Sequence, residues 1–170
     1  MKAELLKSNQ SELKSKYESN PKSAIQTLSA CGNVDFANLA FNLESPKMDS
    51  QAGLHPFSGG DGSFECPVEI MLAGWISCAG VTLAAVAHSM HLKIDECKIS
   101  AFGEMDFKGT LAVDRDSPIG LTNLKIKFDI QSNEERSKLE KLIELTERYC
   151  VVHQTFMKMP GLSTDIKLSI

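Results

Sequence analysis

The residues with the widest chemical range in this sequence are its five cysteines, which are Cys31, Cys66, Cys78, Cys97 and Cys150. Their number is odd, their spacing is irregular, and no two of them form a Cys-x-x-Cys pair. Thioredoxin-type and zinc-ribbon motifs are therefore absent. The N-terminal residues carry mixed charge with no apolar segment typical of a secretory signal. Together these features favour reduced thiols in a cytoplasmic protein over a disulfide framework.

Cys78 and Cys150 are the two cysteines that predicted helices place best for redox chemistry. Cys78 lies in the middle of an apolar segment, and Cys150 ends an amphipathic one, with His153 three residues later as a neighbouring base. An unpaired cysteine in an apolar helix is often an inert core residue, and reactivity requires a nearby cation or hydrogen-bond donors. Two thiols on facing helix surfaces would form a reversible couple, in which one thiolate attacks and the other resolves.

A long glycine- and proline-rich segment, residues 45–63, precedes the apolar helix and contains His55. Long loops in compact domains are often functional, so His55 either lines a site or is an ordinary loop residue. Cys66 is either a competing resolving thiol or a bystander, whereas Cys31 and Cys97 are expected to be structural. His88 and His91 are expected to lie at a solvated helix end.

No metal site is predicted, because the one chemically reasonable ligand set matches no known spacing. That set comprises Cys66, Cys78, Cys150 and His153.

The composition limits the classes of function. The chain has 170 residues, of which 42% are hydrophobic, and carries a formal net charge of −4. This length predicts a single domain with a core of its own. The acidic balance and scattered lysines disfavour nucleic-acid binding. The apolar segment Ile70–His88 is close to the minimum length of a membrane span, but it is rich in alanine and contains Gly74, Ser77, Gly80 and Thr82. We therefore expect a core helix and no membrane partner.

Hydrophobic periodicity and turn residues predict the elements that position these side chains. In the N-terminal half, Ser11–Tyr17 is compatible with a helix that stops at Asn20-Pro21. Two strands, Ser23–Ala30 and Val34–Leu43, are joined by a hairpin turn at Cys31-Gly32-Asn33. A helix apolar on nearly all sides starts at Pro67 and runs to about Met90.

In the C-terminal half, a strand is predicted at Cys97–Phe107, a short one at Leu111–Val113 and a strictly alternating one at Leu124–Ile130. Ser132 or Asn133 then caps an amphipathic helix that runs to Tyr149, and Asp165–Ile170 forms the last strand. The apolar stripe of that helix comprises Leu139, Leu142, Ile143, Leu145 and Tyr149. This order predicts an α+β fold and not a doubly wound parallel sheet.

The segments Gly60–Ser63, Cys66–Cys78 and Leu145–Val152 resemble the OsmC/Ohr family, the cysteine-based peroxidases of the peroxide-stress response. The similarity extends from about Ser23 to the C terminus with the same order of elements. The resemblance implies antiparallel sheets wrapped around a long buried central helix, and an intertwined homodimer with its sites at the subunit interface. Residues 21–170 would then form one OsmC-like domain, preceded by a helical extension at residues 1–20.

The resemblance also implies roles for single residues. Cys78 would be the peroxidatic thiolate, Cys150 the resolving thiol and Glu69 the catalytic acid. His55 and His153 are expected to line the site because of their places in the chain. The oxidised pair would be reduced by an external dithiol, lipoyl-type in the best-studied branch, with no bound cofactor.

Two positions depart from the organic-hydroperoxide branch of the family. In that branch a glutamate directly follows the proline, where this chain has Val68. The branch also stabilises its thiolate with an arginine from an early strand, whereas the first arginine here is Arg115. Lys22, Lys47 and His55 are the candidate replacements.

Three functions follow from these patterns. The first is a thiol-dependent peroxidase that reduces organic or hydrogen peroxides through Cys78 and Cys150. The second is a non-enzymatic binding module, in which the same dimer holds a hydrophobic small molecule. The third is a structural dimerisation protein with inert cysteines.

Overall fold

The computed structural model describes residues 3–36, 40–43, 52–62, 64–159 and 161–168. Helix α1 (Ala3–Ser19) and a short 3-10 turn (Pro21–Ala24) lead into strands β1 (Ile25–Asp35) and β2 (Ala40–Leu43). A second 3-10 turn (Pro56–Ser58) precedes helix α2 (Pro67–Ser89). Strand β3 (Glu96–Asp106), the short helix α3 (Phe107–Thr110) and strand β4 (Thr122–Gln131) follow. Helices α4 (Arg136–Tyr149) and α5 (Val151–Met157) complete the order.

The four strands form one antiparallel sheet in the order β2-β1-β3-β4. Helix α2 packs on one face of this sheet, and α4 and α5 contact the helix as well. The core lies between these layers, where Leu72, Ile76 and Leu83 of α2 meet Ile99 of β3 and Leu142 of α4. The α+β prediction and its antiparallel pairing are confirmed.

Three predicted elements agree closely with the structure, namely the α2 helix and the strands β3 and β4. The alternation that predicted β3 appears directly in its burial, since Ile99 and Ala101 are fully buried. Gly103 lies at an irregularity in the β3–β4 pairing, and a Cβ there would come within 3.0 Å of Leu121. Glycine at this point therefore lets the chain approach β3 closely.

The predicted hairpin turn at Cys31-Gly32-Asn33 is wrong, because β1 runs straight through it. Gly32 is buried and pairs with Leu43 on one side and Ile99 on the other. A glycine inside a strand permits close approach of a neighbouring element, and here β1 contacts α2. The reversal comes later, since Asp35 pairs with Ala40, and residues 37–39 between them lie outside the described residues. Residues 45–51 and 63 of the predicted long loop also lie outside them.

The predicted strand at Leu111–Val113 is also wrong. These residues continue the turn that α3 begins, because the Leu111 amide donates to the Phe107 carbonyl and the Val113 amide to the Lys108 carbonyl. Ala112 has a φ of 55°, in the left-handed region that no strand uses.

The C-terminal predictions need three corrections. Helix α4 starts at Arg136, because the Ser132 hydroxyl donates to the Lys93 carbonyl and accepts from the Glu134 amide and so caps no helix. Tyr149 is 58% exposed and lies outside the apolar stripe. Instead of a last strand, residues 165–168 are exposed and carry no regular structure, since no strand edge pairs with them; residues 169–170 are not described.

Helix α1 is joined to the rest of the fold by a small core of its own. Tyr17 is fully buried with Ala24 and Phe107, and its hydroxyl donates to the Phe57 carbonyl at 2.8 Å. The Gln10 side-chain amide donates to the Ser58 carbonyl at 3.1 Å. These contacts tie α1 to the loop that carries His55.

Candidate functional site

Cys78 lies at the centre of α2 on a helical stripe that the chain leaves partly uncovered. The stripe, with spacings of three and four residues, comprises Met71, Gly74, Cys78, Val81 and Ala85. Met71 is 41% and Val81 42% exposed, while Cys78 is partly buried. The neighbouring hydroxyl of Thr82 donates to the Cys78 carbonyl at 2.8 Å, so it is satisfied within the helix. The sulfur therefore lies between the core and an open apolar surface.

Cys150 reaches the same place from the junction of α4 and α5. On α4 the four-residue spacing of Leu142, Thr146 and Cys150 places all three on one face, and all three are fully buried. The Thr146 hydroxyl donates to the Leu142 carbonyl at 2.8 Å, which satisfies the one polar group on that face. Because this face packs against α2, it carries the Cys150 sulfur to Cys78.

The two thiols interact directly and are both free in this structure. The pKa of Cys150 is raised to about 11, mainly by burial and to a smaller extent by the interaction with Cys78. The backbone amides of His153 and Val152 oppose this rise. At neutral pH the proton consequently stays on Cys150.

His153 lies at this pair, although not as the base that its position in the sequence suggested. Its backbone amide donates to the Cys150 sulfur at 3.4 Å, which makes Cys150 the N-cap of α5. Its imidazole contacts Trp75 instead, with ring centroids 5.8 Å apart. Phe156 packs edge-on against the same indole at 5.0 Å.

Trp75 is the residue that the sequence reasoning passed over. It is 4% exposed, lies one turn before Cys78, and its indole N–H has no hydrogen-bond partner in the described part of the chain. The signal was present in the sequence, because the only tryptophan stands three residues before the candidate nucleophile.

His55 and Glu69 form a second group at the N-terminal end of α2. With Cys66 they line a cavity of about 380 Å³. Burial lowers the pKa of His55, and the Glu69 carboxylate opposes that shift. The His55 Nδ1 accepts from the Phe57 amide at 3.1 Å, so the proton of the neutral ring lies on Nε2. This imidazole is therefore not placed to take a proton from Cys66.

An adjoining cavity of about 380 Å³ shares His55 and Cys66 but has a largely apolar lining. Its apolar side chains include Leu54, Val68, Met105 and Phe107. The His55 ring stacks on Phe107 with centroids 5.1 Å apart, which fixes the wall between the two cavities.

The remaining candidate residues lie apart from both groups. Cys97 is buried in the core, where burial and the nearby Asp129 raise its pKa to about 12. Cys31 pairs with Ser100 in the sheet, and His88 and His91 are exposed at the end of α2. Lys22 is exposed, and Lys47 lies outside the described residues. Nowhere in the described ranges do three His, Cys, Asp or Glu side chains converge to hold a metal ion.

By length and composition alone, α2 is the one helix among the described residues that could cross a membrane. Half of its most apolar window is buried, against the sheet and α4. This contact pattern is that of a core helix with one uncovered face.

Two solved structures have similar folds. An OsmC-like hydroperoxide resistance protein from Jannaschia sp. CCS1 matches with a TM-score of 0.62 and 14% identity, over 85% of this chain and 95% of that chain. An OsmC-like protein from Mycoplasma pneumoniae matches with a TM-score of 0.52 and 15% identity, over 79% of this chain and 86% of that one. At these identities the likeness establishes the fold alone.

No curated protein matches the sequence. The family model described as OsmC-like protein matches residues 60–165, which include α2, both thiols and the Trp75–His153 contact. The match covers more than half of the chain, and the chain therefore belongs to the OsmC-like protein family.

Proposed function

We propose that this protein is a thiol-dependent peroxidase that reduces organic or hydrogen peroxides with Cys78 and Cys150. The observation that carries the proposal is the direct interaction of the two thiols across the α2–α4 contact. The two cysteines lie 72 positions apart in the sequence, so the fold has to bring them together. The name of the Jannaschia relative, a hydroperoxide resistance protein, supports the same chemistry.

In the first step the Cys78 thiolate attacks the terminal oxygen of the peroxide. A sulfur–oxygen bond forms as the oxygen–oxygen bond breaks, the thiol is oxidised to a sulfenic acid, and the leaving alkoxide takes a proton to become an alcohol. In the second step Cys150 loses its proton and attacks the Cys78 sulfur. The disulfide forms as the sulfur–oxygen bond breaks, and the hydroxide leaves with a proton as water.

A dithiol reductant, of the lipoyl type or similar, completes the cycle. It transfers two electrons and two protons to the disulfide, which regenerates both thiols and leaves the reductant as its own disulfide. The cycle needs no metal or bound cofactor. A cytoplasmic location fits this proposal, because the reducing pools there maintain thiols.

The proposed active form is a homodimer joined through the open stripe of α2. Its exposed side chains, Met71 and Val81, are apolar, and a Cβ added at Gly74 would meet nothing within 4 Å. This chain's own packing thus does not require glycine there, whereas a second helix crossing closely would. Self-association through one helical stripe would place Cys78 of both copies at the interface.

A catalytic role for Glu69 is proposed only in the dimer, where Glu69 of one copy would act on Cys78 of the other. Within one chain Glu69 belongs to the His55 cavity and not to the thiol pair. A contribution to Cys78 would have to come from Glu69 of the second copy.

One experiment with purified protein tests the peroxidase proposal. Fully reduced protein is mixed with one equivalent of cumene hydroperoxide, and its thiols are mapped by mass spectrometry. We expect a Cys78–Cys150 disulfide, and a trappable sulfenic acid at Cys78 in Cys150→Ser. The matched control is Cys97→Ser, which changes a buried thiol outside the pair and should leave the link intact. Unmodified thiols in the wild type would refute the proposal.

A second candidate, a binding module for a hydrophobic small molecule, is favoured by the apolar cavity beside His55. Val68 lines that cavity and is only partly buried, so Val68→Trp should fill it. The binding function predicts that Cys78→Ser keeps the cellular effect and that Val68→Trp loses it. The peroxidase function predicts the reverse.

A further inference from the structure

Two neighbouring side-chain contacts join α2 to the junction of α4 and α5. One is the pair of thiols, Cys78 and Cys150. The other is the ring contact between Trp75 and His153, with centroids 5.8 Å apart. Trp75 precedes Cys78 by three residues and His153 follows Cys150 by three, so the two contacts lie about one helical turn apart. A displacement of the His153 ring from Trp75 is therefore expected to displace Cys150 relative to Cys78.

His153 takes part in both contacts, through its backbone amide and through its ring. Its amide donates to the Cys150 sulfur at 3.4 Å, while its ring lies against the indole. Holding the ring on Trp75 thus holds a hydrogen-bond donor on the resolving sulfur. Such a donor favours the thiolate that Cys150 must become when it attacks.

Helix α5 depends on this contact for its position. It has seven residues, too few for an isolated helix to be stable in water. Its inward rings, His153 and Phe156, both pack against Trp75, which is 4% exposed. The indole is therefore one of the buried surfaces that fix α5, together with the core on which Val152 packs.

We infer that Trp75 and His153 are positioning residues, whose ring contact holds Cys150 and the His153 amide in place for attack on the oxidised Cys78. This inference rests on the proposed peroxidase function. The reaction is the second step described above, in which Cys150 gives up its proton as the disulfide forms and water leaves. Neither positioning residue touches the peroxide in this scheme.

The test separates the two steps of one turnover. Reduced protein receives one equivalent of cumene hydroperoxide, samples are quenched over time, and mass spectrometry measures the Cys78 sulfenic acid, trapped with dimedone, against the Cys78–Cys150 disulfide. For His153→Ala we expect disulfide formation to slow by about tenfold, because small misplacements of reacting groups are costly. The rate at which Cys78 is first oxidised should stay within about twofold of wild type.

Two further variants distinguish positioning from general stability. His153→Phe keeps a ring against Trp75 and should restore disulfide formation to near the wild-type rate. Phe156→Ala removes the other ring contact with Trp75 but leaves the amide on Cys150 in place, so it should form the disulfide almost normally. If His153→Ala proves unfolded by circular dichroism, His153→Leu takes its place as the variant without a ring.

The outcomes separate this inference from the proposed function. If wild-type protein forms no Cys78–Cys150 disulfide, the peroxidase proposal fails. If wild type forms it and His153→Ala forms it equally fast, only the positioning role fails. Equal slowing in His153→Ala and Phe156→Ala would also overturn the positioning role, because it would indicate a loss of α5 stability alone.

Discussion

Glu69 and Cys78 lie on opposite faces of α2. Nine residues separate them, and at about 100° per residue this turns the helix by two and a half revolutions, with a rise of about 13 Å along its axis. The Glu69 carboxylate therefore acts on the His55 cavity and not on the thiol of its own chain. The N-terminal end and the centre of α2 hold two chemically different sites.

This separation predicts the effect of Glu69→Gln on His55. The carboxylate charge raises the pKa of His55 against the larger lowering by burial. Its removal should therefore lower the pKa of His55 further, and the ring should stay neutral to more acidic pH. An NMR titration of the imidazole resonances measures this shift. In Glu144→Gln, which alters an exposed carboxylate on α4, His55 should titrate as in wild type; an unchanged or higher pKa in Glu69→Gln would contradict the prediction.

The open stripe of α2 predicts how the protein self-associates. Val81→Asp places a charge at the centre of the proposed interface and should shift the protein from dimer to monomer in analytical ultracentrifugation, since burying an unpaired carboxylate is strongly unfavourable. Ile119→Asp is the matched control, because Ile119 is a 66% exposed apolar residue in the segment between α3 and β4. A Val81→Asp protein that remains dimeric would place the interface elsewhere.

The proton on Cys150 predicts a pH dependence for the resolving step. Burial is the largest cause that raises the Cys150 pKa, and it persists after Cys78 has become a neutral sulfenic acid, so only a small thiolate fraction is present at neutral pH. The rate of disulfide formation should therefore increase about tenfold per pH unit from about pH 6 to about pH 8. Quenched single-turnover reactions at several pH values measure it. A flat profile would mean that loss of this proton does not limit the step.

The sequence predicted those elements whose patterns have one physical solution. The β3 strand alternates between buried and exposed residues, and α2 begins at a proline with a long apolar run, so both were placed closely. Gly32 shows why the hairpin was misplaced. A glycine beside an asparagine suits a turn, but a glycine also suits a strand that a helix approaches closely, and only the packing of β1 against α2 decides between them.

The candidate site likewise has features that could be expected from the sequence and features that only the fold reveals. The pairing of Cys78 with Cys150 followed from the family resemblance, because the sequence holds no record of distances between segments 72 residues apart. His153 was expected to act through its imidazole, yet the fold uses its amide, a group that every residue except proline has. Glu69 could not be assigned to the His55 cavity until the position of His55 was known.

From the raised pKa of Cys97 we expect the protein to lose stability at alkaline pH. Burial and Asp129 raise its folded-state pKa to about 12, whereas an unfolded thiol titrates near the ordinary value of 9.0. The stabilisation is fully present below about pH 9, and it is lost as the pH rises towards 12, because the unfolded chain releases the proton first. This group alone should lower the free energy of unfolding by about 1.4 kcal/mol per pH unit in that window.

The comparison of wild type with Cys97→Ala isolates this contribution. The variant should lose about 1–2 kcal/mol at neutral pH, because it leaves a small cavity. Its free energy of unfolding should then fall less steeply than that of wild type above about pH 9. Urea denaturation at a series of pH values measures both, and parallel curves for the two proteins would exclude Cys97 as the titrating group.

Tyr17 predicts that α1 is part of the folded unit that shapes the His55 cavity. Its hydroxyl donates to the Phe57 carbonyl at 2.8 Å from a fully buried ring, and Phe57 packs edge-on against His55 with centroids 5.4 Å apart. Tyr17→Phe keeps the ring but leaves that carbonyl without its donor, and should cost about 1 kcal/mol in the free energy of unfolding. Tyr17→Ala also removes the ring and should cost about 3–5 kcal/mol.

The second of the two tyrosines supplies the control. Tyr149 is 58% exposed, so Tyr149→Phe should change the free energy of unfolding by less than about 0.5 kcal/mol. Urea denaturation measures all three variants, and NMR of the His55 imidazole reports on the loop, where Tyr17→Phe should shift resonances that Tyr149→Phe leaves unchanged. If Tyr17→Phe matched wild type in both measurements, α1 would be an appendage rather than a support of the loop. A cost in stability together with a shift at His55 would instead mean that the N-terminal helix holds the cavity wall in place through one hydroxyl.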